Sequence, residues 1–333
     1  MSSDIENLLT RAWYERNILS VALRPVSWLF CLLVFLRRLA YKIKLFRSTK
    51  LPVPVVVVGN ITVGGTGKTP LVIELAELLI RTGYRPGIVS RGYRGKARSW
   101  PQQVRPDSDP VMVGDEPVLI TRRTGCPMAV GPDRVAAGQA LIQYHDCDII
   151  ISDDGLQHYK LKRNIEIAVI DGTRRFGNGF CLPAGPLREP VKRLHEVDFR
   201  FTNGTAANDE ILMQYKIMDL VSMNDTVKRC NLSEFKGKQV HAIAGIGNPQ
   251  RFFDQLRTSG LGVIEHSFPD HHEYLRKDIT FNDNLPVIMT EKDAVKCFRY
   301  HSENMWYLPV ATTLPKNFES QFVDLLESSP KVK

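Results

Sequence analysis

The segment at residues 58–70, VGNITVGGTGKTP, ends in the Gly-Lys-Thr of a phosphate-binding P-loop. Backbone N–H groups of its glycines can turn inward on a phosphate, while Lys68 supplies a cation and Thr69 a hydroxyl for Mg²⁺. The strict pattern requires a glycine at position 62, where this chain has Thr62. The glycines concerned are Gly64, Gly65 and Gly67. These residues predict a nucleotide site built on an altered loop.

A P-loop also needs a carboxylate to hold its metal, and in CDIIISDDG at residues 147–155 an apolar run leads to Asp153 and Asp154. A strand-end aspartate can be a simple turn former, but two in succession at this place favour a metal site, and we assign Asp153 to it. Gln157 and His158 follow closely. Taken alone, each is typical of an ordinary polar loop.

Other charged segments could contact a substrate. The segment SRGYRGKAR at residues 90–98 has four cations in eight residues after a predicted strand, which favours an anionic substrate. In VGDEP, Asp115 precedes a short predicted helix and could be merely its N-cap. In PDHHE, the adjacent His271 and His272 could hold a metal or do nothing, and further ligands at zinc spacing are missing from the sequence.

The charge of the chain is concentrated at one end. Residues 1–50 contain nine Lys/Arg against three Asp/Glu, a net +6 of the +8 of all 333 residues, which argues against nucleic acid as the partner. The uncharged run at residues 25–36 is followed by basic and aromatic residues. As a helix it is only about 18 Å long, against roughly 30 Å of bilayer hydrocarbon. We expect it to lie in a membrane interface, the alternative being a helix packed on the protein itself.

Alternating strand and helix patterns follow residue 50. A strand at 55–58, a helix at 69–81 and a strand at 87–90 form a βαβ unit with the glycine loop at its first turn. Six scattered cysteines without a C-x-x-C pair indicate a reducing compartment. We predict an α/β protein with three parts: a membrane-associating helical segment at 1–50, a P-loop NTPase-like core with a mostly parallel sheet at 51–200, and a second, smaller lobe at 201–333.

Six motifs, in this order after the basic N-terminus, resemble the tetraacyldisaccharide 4′-kinases, the lipid A 4′-kinases of Gram-negative bacteria. They are VGNITVGGTGKTP, SRGYRG, GDEP, DDGLQH, LPAGPLREP and TEKDAVK. That family shares the altered loop with threonine at the position of Thr62. The resemblance implies two α/β/α lobes and the use of ATP and Mg²⁺. It also implies transfer of phosphate to the 4′-hydroxyl of a tetraacylated glucosamine disaccharide 1-phosphate, giving lipid IVA, at the cytoplasmic face of the inner membrane.

The resemblance also implies roles for particular residues. Asp115 and His271 are the expected catalytic pair, with Lys68 at the phosphates. The residues expected to bind ATP are Asn60, Thr62, Gly64, Gly65, Thr66, Gly67, Lys68 and Thr69. Those expected to bind Mg²⁺ are Thr69, Asp153 and Asp154. The substrate-contact candidates are Ser90, Arg91, Tyr93, Arg134, Gln157, His158, Arg188 and Glu189.

Two other classes of protein remain open from the residues alone. A double-glycine P-loop GTPase or metallochaperone should carry an Asn-Lys-x-Asp motif, and TEKD at residues 290–293 has the wrong spacing. A soluble ATP-dependent ligase or small-molecule kinase leaves the N-terminal segment unexplained.

Overall fold

The computed structural model describes residues 13–14, 18–93, 95–300 and 302–328. Most of the first seventeen residues of the expected membrane segment therefore lie outside the described residues, and so does Arg94 of the basic segment.

The first lobe is built on an eight-stranded sheet in the order β3-β4-β2-β5-β1-β6-β7-β8. Its strands are β1 (Val55–Gly59), β2 (Pro86–Ser90), β3 (Gln102–Val104), β4 (Met128–Val130), β5 (Ile149–Asp153), β6 (Ile165–Asp171), β7 (Phe199–Asn203) and β8 (Ile211–Leu212). All neighbours are parallel except β3 and β4, which pair antiparallel. This confirms the predicted α/β class with a mostly parallel sheet.

Helices cover both faces of this sheet. They are α1 (Ile18–Ala22), α2 (Arg24–Lys42), α3 (Lys68–Arg81), α4 (Pro110–Val113), α5 (Asp115–Thr124) and α6 (Arg134–His145). In β1, Val56 and Val58 join the buried cluster with α3 and α5, whereas Val55 and Val57 join the cluster with α6. Alternate residues of one strand thus face two cores, which explains its unbroken run of valines.

The second lobe contains a six-stranded sheet in the order β11-β10-β15-β14-β12-β13. The remaining strands are β9 (Gln214–Ile217), β10 (Leu220–Ser222), β11 (Arg229–Cys230), β12 (Gln239–Ala244), β13 (Gly262–Ser267), β14 (Val287–Thr290), β15 (Met305–Leu308) and β16 (Val310–Thr313). The remaining α-helices are α7 (Pro249–Thr258), α8 (Glu291–Cys297) and α9 (Lys316–Ser328). The four strands from β12 to β15 are parallel, so this lobe is α/β as well.

The chain crosses between the lobes twice, at β9 and at β16, and these two strands pair antiparallel as a separate ribbon. After the second crossing, α9 returns to the first lobe and buries Phe318 and Phe322 in its core. The predicted boundary at residue 200 is therefore wrong, because it falls inside β7 and leaves α9 in the second lobe. The sequence could not show this, because an amphipathic helix does not specify which core it covers.

Helix α2 lies on the first lobe by one face only. The Ser27 hydroxyl donates to the Cys181 carbonyl at 2.7 Å, and Phe30 and Cys31 pack on the core beneath. The opposite face leaves a row of large apolar side chains more than a third exposed. They are Val26, Trp28, Leu29, Leu32, Leu33, Phe35, Leu36 and Leu39. Among the described residues, none of the helices combines the length and the apolar character needed to cross a bilayer.

The return of α9 gives a testable prediction about stability. Phe322 is fully buried, so Phe322→Ala should lower the free energy of unfolding by about 3–5 kcal/mol through lost contacts and a new cavity. Denaturant unfolding measures the loss, and Ser320→Ala on the exposed face of the same helix is the control. A loss below about 1 kcal/mol for Phe322→Ala would contradict the assignment of α9 to the first-lobe core.

Candidate active site

The glycine loop connects β1 to α3 and leaves the start of that helix open. Gly64 and Gly67 have φ values of 103° and 88°, which favour glycine. Gly67 is the N-cap of α3 and provides no side-chain cap hydrogen bond. The first N–H groups of a 14-residue helix therefore face the loop without a side-chain acceptor, which is the arrangement that binds a phosphate.

Thr62 is tolerated because its position does not need a glycine. Its φ is not positive, and the residue forms an antiparallel bridge with Leu187. The flanking backbone bonds run from the Val63 N–H to the Pro186 carbonyl at 2.8 Å and from the Arg188 N–H to the Ile61 carbonyl at 2.7 Å. The start of the loop is thus fixed by the LPAGPLREP segment, and this pairing brings Arg188 to the loop.

Lys68 has two oxygen partners. Its ammonium donates to Asn60 Oδ1 at 3.2 Å and lies 3.4 Å from Asp154 Oδ1. Arg188 also binds Asp154, with its Nη1 at 2.9 and 3.1 Å from the two carboxylate oxygens. Burial alone would raise the pKa of Asp154, but Lys68 and Arg188 together lower it below its ordinary value. The second aspartate is therefore a fixed anion between two cations.

Asp153 is in a different environment and fits the metal role. It is 2% exposed, its Oδ2 accepts from the Ser90 hydroxyl at 3.0 Å, and its Oδ1 has no hydrogen-bond partner among the described residues. Burial and the nearby Glu116 raise the pKa of Asp153, against the opposing effect of Lys68. A cation at Oδ1 would satisfy this orphan oxygen. Of the two expected ligands, Asp153 has an oxygen without a partner among the described residues, whereas both oxygens of Asp154 contact cations.

The rest of the metal shell would come mostly from outside the protein. The described residues contain no group of three or more His, Cys, Asp and Glu side chains that could hold a metal ion. Magnesium usually takes one or two protein ligands and completes its octahedron with phosphate oxygens and water. The donors present therefore fit Mg²⁺ bound with a nucleotide.

The second functional cluster joins the two lobes. His271 Nδ1 lies 2.9 Å from Asp115 Oδ2 and 3.1 Å from Oδ1, although the residues are 156 positions apart. The N-cap of α5 is Gly114. Asp115 is therefore not the N-cap of this helix, which was the alternative interpretation from the sequence. Asp115 is 6% exposed. His271 itself has φ 62°, a strained conformation for a non-glycine residue and one that is typical of functional sites.

The neighbouring histidine has a separate partner. His272 Nε2 lies 3.2 Å from Asp278 Oδ2, and its ring stacks on Phe268 at 4.7 Å. His271 is therefore the histidine that contacts Asp115. The sequence alone could not distinguish it from His272.

Two lysines of α8 surround the Asp115–His271 pair. Lys292 binds Glu116 at 2.9 Å and Asp270 at 3.1 Å, and Lys296 lies 2.8 Å from Asp293 and 4.0 Å from Asp115. Burial would raise the pKa of Asp115, but His271, Lys292 and Lys296 hold it well below its ordinary value. Both lysines belong to the TEKDAVK motif, and no role was predicted for them from the sequence. Their i, i+4 spacing, which puts both on one helix face, was the available signal.

The expected substrate contacts divide into groups. Arg91 and Tyr93 line a pocket of about 300 Å³ with Trp100 and Pro132. Tyr93 also contacts the His271 ring edge-on, and it lies at the edge of a larger cavity of about 670 Å³ in the cleft, which Asp115 and His271 line as well. These residues are therefore accessible beside the catalytic candidates.

Other substrate-contact candidates bind neighbouring protein groups or are largely buried. Ser90 holds Asp153, and Gln157 Nε2 donates to the Asn60 carbonyl at 3.1 Å. Burial, reinforced by Arg134, lowers the pKa of His158 to about 4, so its imidazole is neutral at physiological pH. Arg134 is itself 6% exposed and donates to the Pro132 carbonyl at 3.1 Å.

Glu189 corrects one expectation. It is 1% exposed, accepts from the Tyr159 hydroxyl at 2.6 Å and lies 3.3 Å from Arg193 Nε. In this structure it is a buried member of an ion-pair network and is not open to a substrate. The sequence could not distinguish it from the neighbouring Arg188, because burial depends on the chain that folds over both.

Sequence reasoning missed Arg174. This residue follows β6, and its Nη1 lies beside Gly64, at 4.0 Å from the position that a side-chain Cβ would take there. Its Nη2 donates to the Gly247 carbonyl of the second lobe at 2.7 Å. The guanidinium thus connects the edge of the phosphate loop to the opposite lobe, a contact with no sequence signal other than a pair of arginines.

Comparison with known proteins identifies the relatives of this chain. The model of the LpxK family, tetraacyldisaccharide-1-P 4′-kinase, matches residues 19–327. Tetraacyldisaccharide 4′-kinases from Nitrosococcus oceani and Methylobacillus flagellatus are 53% and 52% identical, covering 99% and 95% of this chain and 98% and 95% of those proteins. The crystal structure of LpxK from Aquifex aeolicus in complex with ATP matches with a TM-score of 0.79 at 28% identity, covering 93% of this chain and 100% of that one. These matches do not favour the GTPase or soluble-ligase alternatives.

The orphan oxygen of Asp153 predicts the effect of losing its charge. Asp153→Asn should raise the Mg²⁺ concentration for half-maximal activity at least tenfold, because one metal-facing anion is lost while the bond from Ser90 can persist. A magnesium titration at saturating nucleotide measures this. Asp148→Asn, just before the first residue of β5, is the matched control. An unchanged titration for Asp153→Asn would move the metal role to Asp154.

Proposed function

This chain belongs to the tetraacyldisaccharide-1-P 4′-kinase family, and we propose that Asp115 is the base that activates the acceptor hydroxyl in its cleft. The enzyme transfers the γ-phosphate of ATP to the 4′-hydroxyl of a tetraacylated glucosamine disaccharide 1-phosphate, a step of lipid A biosynthesis. The observation that carries the assignment of the base is the 2.9 Å contact between Asp115 and His271 across the lobes.

The chemistry requires a base because a sugar hydroxyl is a weak nucleophile at neutral pH. As the hydroxyl oxygen attacks the γ-phosphorus, its proton moves to a carboxylate oxygen of Asp115, and the bond to the β-phosphate breaks to release ADP. Asp115 is an anion at neutral pH, but its lowered pKa makes it a weaker base than an ordinary carboxylate. It therefore accepts the proton only as the new P–O bond forms and the hydroxyl becomes acidic. His271 is assigned to donate from Nδ1 and orient the carboxylate.

Charge neutralisation accounts for the rest of the step. Lys68 lies at the start of α3, where the phosphates bind, and Arg188 lies across Asp154 from it. When bound, Mg²⁺ would neutralise negative charge that develops on the phosphates. Asp153 supplies its protein ligand, with the Thr69 hydroxyl as a second, and Arg91 and Tyr93 are the residues best exposed to hold the anionic headgroup.

We assign the exposed face of α2 to a membrane surface. Trp28, Leu29, Leu33 and Phe35 are each 56–65% exposed along one helix, and a contiguous apolar face of this kind marks an interaction site. Basic residues that follow this face are exposed, namely Arg37, Lys42, Lys44 and Arg47, and can meet anionic lipid. An acyl-chain substrate resides in a bilayer, so we place the enzyme at the cytoplasmic face of the bacterial inner membrane.

Single and double variants of the catalytic pair test the assignment of the base. Asp115→Asn and His271→Ala should each lower kcat by roughly 10²–10⁴-fold, the usual contribution of a positioned acid or base. KM for ATP and lipid should change much less, because the interaction is made in the transition state. The double variant should resemble the worse single variant.

The assay is transfer of labelled phosphate from ATP to purified disaccharide 1-phosphate lipid in mixed micelles. His272→Ala is the matched control, since this neighbour contacts Asp278, and it should keep wild-type turnover. Thermal melting excludes unfolding as the cause. If Asp115→Asn melted early but retained its kcat, the carboxylate would be structural and the proposed base would be wrong.

The membrane face has its own test. The double substitution Trp28→Lys and Leu33→Lys should reduce co-sedimentation with zwitterionic phosphatidylcholine vesicles more than tenfold, because each buried side chain contributes roughly 1.5–3 kcal/mol. Val227→Lys changes a side chain that is 85% exposed on the second lobe and should have no effect. Unchanged vesicle binding by the double variant would show that another surface holds the protein on lipid.

A further inference from the structure

Asn203 is the last residue of β7, and its side chain lies against the phosphate loop. A Cβ added at Gly67 would meet Asn203 Nδ2 at 3.1 Å and would collide with the hydroxyl of Tyr215. Tyr215 belongs to β9, one of the two crossing strands. The loop that binds phosphate is therefore in close contact with an amide from the sheet edge and a phenol from the ribbon between the lobes.

A residue of the second lobe fixes the orientation of this amide. Arg251 Nη1 donates to Asn203 Oδ1 at 2.8 Å, and its guanidinium stacks over the Tyr215 ring at 4.8 Å. Because a guanidinium can only donate, the oxygen end of the amide must face Arg251. The NH₂ end then faces the phosphate loop, while Oδ1 retains a second lone pair.

The order of the strands gives the direction in which a nucleotide must extend. The orphan oxygen of Asp153 belongs to β5, on one side of β1, and it marks the end of the site where the metal and the γ-phosphate belong. On the other side of β1 come β6 and then β7. A nucleotide whose γ-phosphate lies at the β5 side therefore carries its base towards the end of β7, where Asn203 lies.

We propose that Asn203, oriented by Arg251 from the second lobe, recognises the N6–N7 edge of the adenine base. Asparagine suits this edge, because its NH₂ donates to N7 while its carbonyl accepts from the N6 amino group. Guanine has an acceptor, O6, where adenine has the amino group, so the amide carbonyl would oppose it. The inference rests on the proposed function only in taking ATP as the phosphate donor.

The same contacts make base recognition depend on both lobes. Asn203 comes from the first lobe, Tyr215 from the ribbon and Arg251 from α7. None of these residues lies in the P-loop, and none was predicted from the sequence. The end of β7 reads Phe-Thr-Asn-Gly at residues 201–204, which is not an Asn-Lys-x-Asp motif.

The test is equilibrium binding of nucleoside diphosphates to the full chain by titration calorimetry, which needs no turnover. ADP is compared with 7-deaza-ADP, which lacks only the N7 acceptor, and with GDP. Wild-type protein should bind ADP about three- to tenfold more tightly than 7-deaza-ADP, the worth of one hydrogen bond. GDP should bind more weakly than either.

Substitutions assign this preference to the amide. Asn203→Asp keeps the contact with Arg251 but cannot donate to N7, so its preference for ADP over 7-deaza-ADP should fall to about one. Arg251→Met should weaken the preference by releasing the amide. Asn231→Asp makes the same chemical change at an exposed cap in the second lobe and should leave the preference at its wild-type value.

Two results would overturn the proposal: equal binding of ADP and 7-deaza-ADP by the wild-type protein, or a full preference retained by Asn203→Asp. If Asn203→Asp fails to melt cooperatively, the wild-type comparison and Arg251→Met still decide it. Phosphorylation of the lipid by wild-type protein is measured separately. Equal binding with intact lipid phosphorylation rejects base recognition alone, whereas a clear preference without lipid phosphorylation rejects the proposed function alone.

Discussion

The buried carboxylate of Asp115 is the constraint on which the cleft depends. An ionised carboxylate that is only 6% exposed needs compensation, and removing one partner of such a pair typically costs roughly 3–5 kcal/mol. Its nearest partners, His271 and the lysines of α8, come from the second lobe. The charge that we propose as the catalytic base is thus also a contact between the lobes, and several ion pairs meet around it.

The two adjacent aspartates at the end of β5 have identical side chains but different surroundings. Asp154 lies between Lys68 and Arg188 and is fully paired, while Asp153 is buried with one oxygen unsatisfied. The two cations beside Asp154 favour its ionised form, which holds Lys68 in the loop. The unpaired oxygen of Asp153 gains a partner only when a cation binds. Under the proposed metal role of Asp153, the metal ligand and the residue that binds Lys68 are therefore adjacent in the chain.

A third feature is the unequal covering of α2. Its inner face is fixed by Ser27 and Phe30, whereas its outer face exposes tryptophan, leucine and phenylalanine side chains that a soluble monomer rarely leaves in water. We propose that this face contacts the lipid in which an acylated sugar substrate resides. The helix is attached to the same lobe as the phosphate loop, so docking at lipid would orient that lobe as well.

Local patterns in the sequence determined the first βαβ unit, the glycine loop and the acids at the end of β5. These depend on side-chain periodicity and turn chemistry within a few residues. The motifs also specified the family. The sequence could not assign α9 to the first lobe, Glu189 to the interior or Lys296 to the neighbourhood of Asp115. Nor could it bring Arg251 to Asn203, 48 positions away. Only the tertiary structure decided these contacts, because burial and ion pairing depend on which distant segments pack together.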